Sequence, residues 1–95
     1  MADARLREPW GVTVSDHTGL IYVADTGNSC IRVFDIDGNA KGQISFPNFA
    51  QRFEPVDLTL NNDDNLVITD HRNQQVRTVT RLGPRTSRTS ILIFI

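Results

Sequence analysis

The chain is poor in the residues that usually announce chemistry. In 95 residues it has one cysteine, Cys30, one tryptophan, Trp10, one tyrosine, Tyr22, and two histidines, His17 and His71. A single cysteine excludes an internal disulfide and any zinc site built from several thiolates. Lysine and arginine (10) nearly balance aspartate and glutamate (11), so no global charge directs the chain to nucleic acid or to an anionic membrane. The opening stretch MADARLREPW lacks the apolar core of a signal peptide, and the closing apolar run, Ile91 to Ile95, is too short to span a bilayer. A cytoplasmic protein without a membrane partner is the default expectation. No segment carries a sustained helical period of apolar residues.

Short apolar runs broken by turn residues are what remain. Leu20 to Ala24 is apolar without a break, and Ile31, Val33 and Phe34 follow after Asp25-Thr26-Gly27-Asn28-Ser29. Strands of this kind expect cover on both faces, and the intervening residues suit a polar hairpin loop. The pattern then repeats. Asp25, Asn28, Ile31 and Arg32 recur as Asp70, Asn73, Val76 and Arg77, 45 positions on, while Pro9, Val12 and Val14 recur as Pro55, Leu58 and Leu60 at 46. A period near 45 with several short strands per unit fits a propeller blade, an antiparallel sheet stacked face to face on its neighbours. The spacing predicts strands at Gly11 to Ser15, Leu20 to Ala24, Ile31 to Asp35 and Ala40 to Ser45 in the first unit. Val56 to Leu60, Leu66 to Thr69 and Gln75 to Thr80 follow in the second, and Asp37-Gly38 supplies a hairpin turn.

The run PWGVTV, then GLIYVADTGNSCIRVFDIDG, resembles the NHL repeat. The resemblance is specific from Pro9 to Gly38 and weaker in the second copy, where Asp57 replaces the glycine and His71-Arg72 replace Thr-Gly. The family often has an arginine just before the first aliphatic of the third strand, where this chain has Cys30 and Gln75. The resemblance implies an all-β fold: two antiparallel four-stranded blades of an NHL-type β-propeller, an incomplete ring. The expected organisation is an extension over 1–8, a first blade over 9–46, a crossover over 47–54, a partial second blade over 55–80, and an arginine-rich linker with an apolar tail over 81–95. Closed propellers need about four to eight blades, so the chain is expected to be a fragment that completes itself with further blades or self-associates. The tail reads equally as the missing outer strand of the second blade or as sequence foreign to the repeat.

An up-and-down meander sends alternate turns to opposite ends of a blade. One end collects Asp16, Asp35, Asp37, Asp63 and Asp64 with no basic residue in those turns. The other collects Asn28, Asn48, Phe49, Arg52, His71, Arg72 and Asn73, the candidate contacts for a protein or single-stranded RNA. Asp25 and Asp70 are expected to fix the loops through hydrogen bonds to backbone amides. Ser15-Asp16-His17 holds the residue types of a hydrolytic triad, but neighbours on a turn point apart. His17 and His71 fall at opposite ends and cannot share a metal. No catalytic residue, metal or cofactor is therefore expected. The NHL resemblance implies an interaction module that is not itself an enzyme, as in tripartite-motif ubiquitin ligases, where the propeller selects the partner. The alternative is a fragment of a propeller enzyme, an amidating lyase or a lactonase-like hydrolase.

Overall fold

The structure, a computed structural model, describes residues 5–46 and 52–79 and the backbone of 91–94. Two antiparallel four-stranded sheets follow one another in the chain, each a simple meander. The first contains β1 (Pro9–Val14), β2 (Ile21–Asp25), β3 (Cys30–Phe34) and β4 (Ala40–Ile44). The second contains β5 (Pro55–Leu60), β6 (Leu66–Asp70), β7 (Gln75–Val79) and β8 (Ile91–Phe94). The backbone of the apolar tail thus pairs with β7, Ile91 opposite Thr78 and Phe94 opposite Gln75.

Local chemistry explains the turns. Between β1 and β2 the Ser15 hydroxyl accepts the amides of His17 and Thr18, and Gly19 takes a positive φ of 77°. Between β5 and β6 the Asn61 carboxamide oxygen does the same work, accepting from Asp63 and Asn65. Asp35 Oδ1 accepts from Asp37 at 3.0 Å and Asn39 at 2.9 Å, closing the Asp-Gly hairpin expected there. Both inner strands start earlier than the apolar pattern suggests. Pro9 pairs with Asp25 and Pro55 with Asp70, and a bulge then separates each proline from Val12 or Leu58. The bulge hides the strand start from a period-two reading. A 3₁₀ turn, Thr26–Asn28, fills the loop between β2 and β3.

The sheets stack face to face. Tyr22, Ala24, Ile31 and Ile44 of the first sheet meet Leu58, Leu60, Leu66, Ile68 and Val79 of the second, with Phe46 and Phe53 from the crossover joining the same core. The inner strands approach closely at Gly11. A Cβ there would lie 2.9 Å from Leu58 Cδ2, 3.0 Å from the Val56 carbonyl oxygen and 3.2 Å from the Asp57 Cα. Two of those three atoms are backbone and cannot rotate aside, so Gly11→Ala is expected to cost about 1–3 kcal/mol. Urea unfolding measures this, and an unchanged midpoint would contradict the close approach. Both ends of the seam are tied by hydrogen bonds: Ser15 Oγ donates to Asp64 Oδ2 at 2.7 Å at one end, and Thr26 Oγ1 donates to the Pro55 carbonyl at the other.

Candidate functional site at the loop end of the seam

Each sheet carries the same ionic device. The aspartate closes the second strand, and the arginine stands on the third strand opposite Val23 or Ile68, two residues before that aspartate. Residues two apart on a strand share a face, so carboxylate and guanidinium meet diagonally. In the second sheet the pair lies inside the seam, with Asp70 and Arg77 side chains both 0% exposed. Arg77 Nη2 and Nε donate to Asp70 Oδ2 at 2.6 and 2.9 Å, Asn73 Nδ2 donates to the same oxygen at 2.8 Å, and the Glu54 amide donates to Oδ1 at 3.0 Å. The Arg77 guanidinium also lies 4.7 Å from the Phe46 ring centre and 5.5 Å from that of Phe53. Burial pushes the Asp70 carboxyl up, but the Glu54 amide, Asn73 and Arg77 together outweigh it, and the group ends below the usual carboxylate range.

The first sheet repeats the device on its open face. Asp25 accepts the Arg7 amide at 2.7 Å and Asn28 Nδ2 at 2.8 Å, while Arg32 approaches at 3.6 Å with 11% of its side chain exposed. Asp25 and Asp70 thus reach back to amides 18 and 16 residues earlier, tying the entry to each inner strand to the loop after β2 or β6. Sequence reasoning looked for an arginine at the positions of Cys30 and Gln75 and so passed over Arg32 and Arg77. The signal was present: both recur at the 45-residue period, seven positions after their aspartates. Burial and then the Asp25 charge push the Cys30 thiol up, with Arg32 partly offsetting them, so Cys30 is a packed thiol and a poor nucleophile.

Between the loops at this end lies a cleft of about 430 Å³, lined by Arg7, Arg52, Arg72, Glu8, Glu54 and Ser29, among others. Arg52 Nη2 donates to the Gly27 carbonyl at 2.7 Å, and its Nε donates to the Ser29 hydroxyl. Glu54 takes His71 Nδ1 at 3.0 Å on one oxygen and Arg72 Nη2 at 3.4 Å on the other. Those contacts, the histidine first, hold the Glu54 carboxyl below its usual range. The arginines keep exposed surface toward solvent, so a further anion can still reach them.

The seven expected contact residues are therefore divided. Arg52 and Arg72 line the cleft, and His71 stands at its edge on Glu54. Asn28 and Asn73 give their side-chain amides to Asp25 and Asp70, with a second, 3.5 Å contact from Asn73 to the Arg52 carbonyl. Asn48 and Phe49 lie outside the described residues. Arg7 was missed, because nothing in the sequence brings residue 7 to the second sheet's loops. At the opposite end Ser15 gives its proton to Asp64, not to a histidine, and His17 contributes its backbone amide. Among the described residues no group of three or more His, Cys, Asp or Glu is arranged to hold a metal. None of the described helices is long and apolar enough to cross a membrane.

Two four-stranded meanders stacked through their inner strands are consecutive blades of a β-propeller. Residues 6–34, which hold the first three strands of the first blade, match the family model of the NHL repeat. Comparison with curated proteins finds no match. Among solved structures the fold is shared with the selenomethionine form of virginiamycin B lyase from Staphylococcus aureus, at 20% identity and a TM-score of 0.72 over 92% of this chain and 27% of that one. It is also shared with a streptogramin B lyase, at 21% identity and a TM-score of 0.69 over 92% and 26% of the two chains. A catalytically inactive histidine-to-alanine variant of the Staphylococcus aureus enzyme with quinupristin gives 20%, 0.69, 92% and 27%. The chain spans about a quarter of each of those proteins. The expectation that the chain is not enzymatic is corrected by these structures. Proteins with this blade arrangement include lyases, and the missing triads and metal clusters on which the expectation rested do not separate a binding blade from an enzyme blade.

Proposed function

We propose that the loop end of these two blades is a docking platform for an acidic protein segment. One observation carries the reading: Arg7, Arg52 and Arg72 surround a single cleft, and they come from three segments distant in sequence. Arginine suits this task because its planar fork pairs carboxylates bidentately while its stem packs on neighbouring surface. The same observations weigh against single-stranded RNA. Phe46 and Phe53 are engaged with each other and with Arg77, and Asn28 and Asn73 give their side-chain amides to aspartates, so these rings and amides are not offered to bases. Titrating the protein with a fluorescent glutamate-rich peptide tests the reading. Reversing charge at Arg52 or Arg72 should weaken binding about tenfold, roughly 1.4 kcal/mol, and raising the salt should weaken it further. Binding indifferent to both substitutions would remove the platform.

A second reading has its own support. The solved structures that share the fold are lyases, and the cleft edge holds a histidine oriented by a carboxylate, His71 on Glu54. In that reading His71 moves a proton on a substrate held in the cleft. Consumption of quinupristin by the protein, followed by chromatography and lost in His71→Ala, would favour it, and no consumption would end it for that substrate.

A further inference from the structure

Among the described residues, only one of the three cleft arginines already holds a carboxylate. Arg52 donates to neutral oxygens, the Gly27 carbonyl and the Ser29 hydroxyl. Arg7 is fixed through its backbone, its amide on Asp25 and its carbonyl on the Gly27 amide. Arg72, by contrast, meets Glu54 Oε2 at 3.4 Å, while Glu54 Oε1 takes His71 Nδ1 at 3.0 Å. Glu54 lines the same cleft with 27% of its side chain exposed, so its carboxylate competes for Arg72 with any carboxylate that enters. The Glu54 backbone is tied down, its amide on Asp70 and its carbonyl on the His71 amide at 3.0 Å. Only the side chain is free to exchange partners, and its long contact with the half-exposed Arg72 is the weaker of the two.

We infer that Glu54 is a built-in carboxylate ligand of the cleft, which an acidic segment must displace from Arg72, and that a proton on His71 draws Glu54 away and opens the site. The inference rests on the docking-platform reading. Two groups compete for one carboxylate. A neutral imidazole gives Glu54 only a hydrogen bond, which leaves the carboxylate charge to Arg72. A protonated imidazole pairs with that charge and frees Arg72 for the entering segment. Around His71 stand Arg52 and Arg72, with Arg7 and Glu8 across the cleft from the first blade, while Asp70 is occupied by Arg77, Asn73 and the Glu54 amide. Carboxylates and guanidinium groups ordinarily keep their charge between about pH 6 and 8, where imidazole changes its own. The other histidine, His17, lies at the opposite end of the seam, beside Ser15.

The test measures binding of the glutamate-rich peptide at about pH 8 and about pH 6, on either side of the ordinary imidazole value, at one ionic strength. The parent should bind several-fold tighter at the lower pH. Glu54→Gln keeps the backbone amide and carbonyl, and at the higher pH it should bind about as tightly as the parent does at the lower, with most of the pH dependence gone. His71→Gln should keep the weaker affinity at both. Glu54→Gln binding no tighter than the parent at the higher pH would overturn the inference. So would a full pH dependence surviving in Glu54→Gln, which would put the imidazole charge directly on the peptide. Binding that responds to Arg52 and Arg72 but not to Glu54 removes this inference alone, whereas no binding by parent and Glu54→Gln at either pH removes the docking platform and the inference with it.

Discussion

Asp70→Ala is expected to destabilise the chain by about 3–5 kcal/mol, the cost of leaving a buried guanidinium without its carboxylate. Arg77 has no exposed surface through which water could replace the lost oxygens, and two phenylalanine rings close over it. The same change also releases the Glu54 amide and the Asn73 side chain, opening the base of the cleft. Asp25→Ala removes the equivalent residue of the first blade and should cost less, about 1–3 kcal/mol, because Arg32 there reaches solvent. Denaturant unfolding of the two variants beside the parent measures both, and equal losses would contradict the difference in burial.

The acid limb carries a further signature of Asp70. Its folded carboxyl titrates below its unfolded value, so its contribution is fully present above the ordinary carboxylate pKa of about 3.9 and is lost as the pH falls through the depressed folded value. The stability gap between parent and Asp70→Ala should therefore hold from neutral pH to the ordinary carboxylate range and narrow only in stronger acid. A gap that closes at mildly acidic pH would contradict the lowered pKa.

Phe53→Ala is the second large effect, about 3–5 kcal/mol. Phe53 is 3% exposed and packs edge to face on Phe46 with ring centres 4.9 Å apart. Its loss leaves a void between the blades and lets water reach the Asp70–Arg77 pair. Because the two sites share Arg77, the double variant Asp70→Ala, Phe53→Ala should fall short of the sum of the single losses. Strict additivity in thermal or denaturant unfolding would show that the ring and the ion pair do not cooperate.

The repeat made the fold readable. Equivalent residues 45 apart, above all Asp25 with Asp70 and Ile31 with Val76, place two blades and the order of their strands from the sequence alone. Hairpin turns were readable too, since Asp35, Gly38 and Asn39 act through neighbours a few residues away. What escaped was set by contacts between distant residues. Ser15 and Asp64 are 49 positions apart, and neither carries a local sign that it will hold the other. Asn28 and Asn73 read as free recognition amides, because an asparagine in a loop looks the same whether it faces a partner or its own aspartate. Arg7 reaches the cleft through the fold of the entry segment, where Gly27 donates its amide to the Arg7 carbonyl and, lacking a Cβ, leaves room for the arginine stem. Arg77 was visible as a repeated residue, but its burial depends on Phe46 and Phe53 arriving from the crossover.

One asymmetry underlies these effects: the aspartate–arginine device is sealed in the second blade by the first, while in the first blade its arginine keeps 11% of its side chain exposed. Nitrogen-resolved NMR of the arginine side chains measures it directly through hydrogen exchange at Nε. The account predicts that the Arg77 Nε–H, bonded to Asp70 at 2.9 Å with no exposed surface, exchanges orders of magnitude more slowly than the Arg32 Nε–H. Equal exchange rates at the two arginines would contradict the stacking of the two blades.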